Sequence, residues 1–82
     1  MTQEAIGLVV GMDPAVFVRL DPQSMVSMLE LSSVDDRAIA LVAEALEAEA
    51  SMLEETGSIL EAEARREQAA AVRRLVGPHH GN

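Results

Sequence analysis

The sequence predicts an all-α protein, a small helical bundle in which short N-terminal helices pack on a long antiparallel α-hairpin turning at Gly57. Three observations predict it. Apolar residues recur at spacings of three and four from Ile39 to Leu53 and again from Ile59 to Val76, the period of a helix with a buried side. Asp-Pro occurs at 13–14 and 21–22, pairing a favoured helix cap with the residue tolerated at the first helical position. Gly57 interrupts "LEETGSILEAEARREQ", which otherwise contains almost only strong helix formers.

Each element follows in order. Ala5, Ile6, Val9 and Val10 fall near one helical face, so Thr2–Gly11 reads as a short opening helix weakened by Gly7 and Gly11. The helix beginning at Pro14 is limited to about two turns, because Pro22 disfavours helical geometry at Asp21. The helix beginning at Pro22 carries Met25, Met28 and Leu29 on one side. In "SSVDD", Ser33 is expected to cap the next helix by accepting from the N–H of Asp36, with Asp35 and Asp36 at the positive end of its dipole.

The helix from Val34 to about Thr56 has two apolar stripes. Ile39, Val42, Leu46, Ala50 and Leu53 form the first; Leu41, Ala45, Ala48 and Met52 lie about 130° around the axis. Two stripes require neighbours on two sides, so this helix is expected to be central. Glu44, Glu47, Glu54 and Glu55 fill the remaining arc as a solvated face.

Thr56-Gly57-Ser58 reads as a complete junction. Glycine suits the left-handed position after a helix, and Ser58 with Glu61 forms a capping box for the next one. That last helix, Ile59 to Val76, has Ile59, Ala62, Ala69, Val72 and Val76 on one side and a second line of Leu60, Ala64, Ala71 and Leu75 beside it. Its alanines allow close approach of the preceding helix, and Glu61 is placed to pair with Arg65 on the solvent side. A compact chain of this length has a radius of gyration near 12 Å, whereas a continuous helix from Val34 to Val76 would be about 65 Å long.

The helix pair resembles a single tetratricopeptide-type hairpin over about residues 43 to 76. Gly57, Ala62 and Ala69 match its turn glycine and following small residues, and Leu46, Ala50 and Leu53 match its large, small and large packing positions. Arg66 stands where that family places a bulky apolar residue, and no proline closes the hairpin before Pro78. With one copy, the resemblance implies the hairpin and no extended peptide groove. From Gly11 onward, with its short capped helix and its turn at "EETGS", the chain also resembles an uncharacterised bacterial family of small helical proteins; that resemblance implies a fold and no activity.

Composition narrows the function. The 82 residues are expected to form one helical domain over 1–78, with a flexible tail expected at 79–82. A domain this small buries only about 60 to 65% of its unfolded surface, yet 49% of the residues are hydrophobic. The surplus points to self-association as a homodimer or to a protein partner. With no cysteine, disulfides and thiolate chemistry are excluded. "MTQEAIGLVVGMDP" lacks the pattern of a signal peptide and no stretch matches a membrane span, so a cytoplasmic location is expected.

The net charge of −8 disfavours direct nucleic-acid contact. Residues 1–57 hold eleven acids against Arg19 and Arg37, a net −9, while residues 58–82 carry +1. No catalytic constellation can be assembled, because both histidines, His79 and His80, stand in the Gly/Pro tail. No enzyme activity, cofactor or metal is expected. The candidate interaction surface is Leu41, Met52, Leu60 and Leu75 with Arg66 and Arg73 on its rim; the simpler role for those arginines is pairing with local glutamates. A competing reading makes the acidic chain an inhibitor or nucleic-acid mimic that occupies a basic site on another protein.

Overall fold

A computed structural model describes residue 11 and residues 13–76. Thr2 to Val10, where the opening helix is expected, and the His79-His80 tail lie outside the described residues. Among the described residues four helices follow in order: α1 (Pro14–Phe17), α2 (Pro22–Leu31), α3 (Asp36–Glu55) and α4 (Ile59–Arg73). No strand occurs among the described residues. The radius of gyration is 12.1 Å, the value of a compact chain of this length.

Three aspartates start three helices. Asp13 accepts from the N–H of Ala15 at 2.9 Å, Asp21 from that of Ser24 at 3.3 Å and Asp35 from that of Ala38 at 2.9 Å. Hydrogen bonding from Ser24, its side chain first, holds the Asp21 carboxyl below the ordinary aspartate range. Leu20 and Met25 flank the Asp21 cap, and Val34 and Ile39 flank the Asp35 cap, at the positions of a hydrophobic staple. All four belong to the core or pack on it, which sets where α2 and α3 enter the bundle.

The predicted cap at Ser33 is corrected. Ser33 lies at φ 56 in the left-handed region and ends α2, its N–H donating to the Glu30 carbonyl. Asp35 caps α3 instead, because turning Val34 into the core carries the chain two residues further before the helix can begin. The short first helix is also tighter than expected. One α-turn ends at Phe17, and two i to i−3 bonds, from Arg19 to Val16 and Leu20 to Phe17, bring the chain to Asp21.

Gly57, at φ 88, closes α3 with a Schellman motif: the Ser58 N–H donates to the Leu53 carbonyl at 2.8 Å and the Gly57 N–H to that of Glu54 at 3.1 Å. The Thr56 hydroxyl adds a bond to the Leu53 carbonyl. The hairpin is therefore real. The capping box, however, does not form: Ser58 makes no side-chain cap bond. Schellman closure holds its backbone at ψ 68, away from the extended values of 121 to 172 at which the three aspartate caps accept.

α3 and α4 pack antiparallel along their length, and α2 packs on another side of α4. Phe17, Met25, Leu29, Val42, Leu46 and Val72 are the largest fully buried side chains, so every helix contributes to one core. Leu46, Ala50, Ala62 and Ala69, positions read as hairpin packing from the sequence, are all buried. Among the described helices the central one is α4, not α3. The second stripe of α3 turns outward at Leu41, Ala48 and Met52, and only Ala45 is buried. Ile59 is exposed as well, because its spacing of seven aligns it with Arg66 and Arg73 on the flank rather than with the Ala62 line.

Candidate interaction surface

Arginines of α4 and glutamates of α3 lace the hairpin. Arg73 grips Glu47 with two bonds, Nε to Oε2 at 2.7 Å and Nη2 to Oε1 at 2.8 Å. One heptad earlier on α4 and one heptad later on α3, Arg66 Nη1 meets Glu54 Oε2 at 2.7 Å. Equal spacing on antiparallel helices puts both pairs on the same flank. Hydrogen bonding from Arg73, opposed in part by desolvation, holds the Glu47 carboxyl below its usual range and raises the Arg73 guanidinium.

Arg65 takes a different partner from the one expected. Its Nε donates to Glu49 Oε1 at 2.9 Å across the hairpin, in place of the local pairing with Glu61. The pair is more sheltered than the other two, and Arg65 Nη1 also reaches Gln68 Oε1 at 3.4 Å. Gln68 itself is 4% exposed. Its Nε2 donates to the carbonyls of Val18 at 2.9 Å and Leu20 at 2.7 Å, which the turn leaves without a helical N–H partner; four residues after Val18 stands Pro22, which has no N–H. No buried side-chain nitrogen or oxygen among the described residues lacks a partner.

The six residues predicted as a surface differ in exposure and in engagement. Leu41 (48% exposed) and Met52 (61%) lie on the outer side of α3, with Ala48 between them. Leu60, 82% exposed, stands in the first turn of α4, beyond the cover of α2. Leu75 is half-buried and packs on the core, where with Pro22, Val26 and Ala71 it lines a groove of about 410 Å³. Arg66 and Arg73 are engaged with Glu54 and Glu47 within the chain. Their pairing with local glutamates is the arrangement present.

What the geometry assembles is an apolar strip on α3. Leu41, Ala48 and Met52 follow one another on its exposed side at spacings of seven and four, in a/d register, and the buried Ala45 marks the edge where the strip meets the core. Among the described residues no cluster of three or more His, Cys, Asp or Glu is arranged to hold a metal, and no helix is long and apolar enough to cross a membrane. No protein-family model matches the chain, and comparison with curated proteins and with solved structures returned no match.

Proposed function

We propose that the protein is a small acidic interaction module that associates with a second copy of itself through an exposed apolar helix face. The observation that carries this reading is the contrast within α3: Leu46 is fully buried, while Leu41 and Met52 on the opposite side are about half exposed or more. The core among the described residues is formed by other side chains, Phe17, Met25, Leu29, Val42, Leu46 and Val72, which leaves Leu41 and Met52 free to be covered from outside. Removing such a strip from water favours association in proportion to the apolar area covered.

Scattering or sedimentation over a concentration series tests the reading. The expected result is a particle of twice the 8.8 kDa chain mass that Leu41→Glu with Met52→Glu returns to one chain at unchanged helicity. A single-chain mass at every concentration would overturn it. Asp13, Asp21, Glu30, Asp35, Asp36, Glu44, Glu54 and Glu55 are all exposed, which supports the acidic-inhibitor reading as the alternative. The two separate by salt, since binding to a basic partner weakens steeply with ionic strength and an apolar interface does not.

A further inference from the structure

Resting on the self-association reading, we infer that the two copies pair antiparallel, α3 on α3, about a two-fold axis at the level of Leu46 and Glu47. Two independent complementarities centre within half a residue of that level. Leu41 and Met52 are equidistant from it along the helix, so an antiparallel copy sets each Leu41 on the other copy's Met52, with the exposed Ala48 between them. Large residues then meet at the ends of the seam, and the small Ala48 of each copy lies near its middle, where it lets the axes approach.

The second complementarity is charge. Arg37 and Glu55 are both exposed, lie within about 40° of the strip and are equidistant from Leu46. The same symmetry operation therefore places each Arg37 beside the other copy's Glu55, twice per dimer. A two-fold contact must be self-complementary, residue i meeting j and j meeting i. A parallel pairing would instead leave Arg37 and Glu55 on opposite flanks of the seam and 18 positions apart along the helices, with no opposite charge beside either. Charge thus selects the orientation that the apolar strip alone leaves open.

Charge reversal tests this without threatening the fold. Arg37→Glu adds an acid to the first turn of α3 and Glu55→Arg a base to its last, both in the favourable sense for the helix dipole. Each variant alone should dimerise about tenfold more weakly than the natural chain, as two exposed pairs turn repulsive. An equimolar mixture of the two should recover the affinity as a heterodimer, because both pairs become opposite in sign again. Since the chain has no cysteine, Leu41→Cys and Met52→Cys can be mixed and oxidised as a second reading, with the mixed disulfide expected over either homodisulfide. A dimer that shows neither heterodimer recovery nor the mixed disulfide would overturn the antiparallel seam and leave self-association standing. A natural chain that is single at all concentrations would remove both.

Discussion

Gln68 Nε2 donates to the Leu20 carbonyl at 2.7 Å, tying the middle of α4 to the connection between α1 and α2, 48 positions earlier. The same amide serves the Val18 carbonyl, so one side chain satisfies two backbone groups that the tight turn before Pro22 leaves without helix partners. Gln68→Leu should lower stability by about 2 to 3 kcal/mol, the cost of orphaned buried polar groups together with the lost bonds. Gln68→Glu should be worse at neutral pH, because an ionised carboxylate has no hydrogen to donate to either carbonyl. Its folded-state pKa would be raised, so the deficit develops as pH rises above the ordinary glutamate value of about 4.3 and shrinks in acid. Urea unfolding of both variants at pH 7 and pH 4 checks this.

Gly57 has no atom within 4 Å of where a Cβ would sit, so space is not what requires glycine there. The requirement is φ 88. Gly57→Ala should cost about 1 to 2 kcal/mol through backbone strain alone, with Gly57→Asn costing less. Equal stability of all three in thermal unfolding would show that the turn rearranges on substitution.

The left-handed residue that ends α2 is a serine, and the cap of α3 is Asp35. Ser33→Gly should therefore stabilise the protein by up to about 1 kcal/mol by relieving φ 56, whereas Asp35→Ala should destabilise it by about 1 kcal/mol. If Ser33 were the cap, the signs would differ. Paired chemical denaturation of the two variants separates the cases.

Arg73 holds the Glu47 carboxyl below its ordinary value near 4.5. A lowered folded-state pKa contributes stability that is present above the unfolded value and lost as pH falls through the folded one. Glu47→Gln should thus lose stability at pH 7 and converge on the natural chain in acid. Both side chains are nearly half exposed, so solvent screening limits the effect to less than about 1 kcal/mol. Added salt at pH 7 should narrow the same gap.

Leu46 and Leu41 share a helix and differ in exposure from 0% to 48%. Leu46→Ala should cost about 3 to 5 kcal/mol, a large part of the stability available to so small a domain. Leu41→Ala should change the stability of the single chain by less than about 0.5 kcal/mol. Unfolding measured well below any dimerisation range distinguishes these intrinsic effects from assembly.

Local chemistry carried much of this architecture into the sequence. The Asp-Pro pairs mark two helix starts because capping and proline geometry act within four residues, and Gly57 marks the turn because no other residue adopts its φ so readily. The first stripe of α3 was legible for a similar reason: a period of three and four names a buried face whatever lies against it. Periodicity cannot say how many neighbours a helix has. The second α3 stripe has the same pattern as the first, yet only packing decides that α2 lies on α4 and leaves Leu41, Ala48 and Met52 in water. Arg65 could reach Glu61 locally or Glu49 across the hairpin, and helix register chose the latter. Gln68 carried no signal at all, since a lone glutamine among glutamates and alanines reads as solvated surface. Its role exists only because the fold brings two unpartnered carbonyls to its amide, a long-range coincidence of position that no local rule of sequence contains.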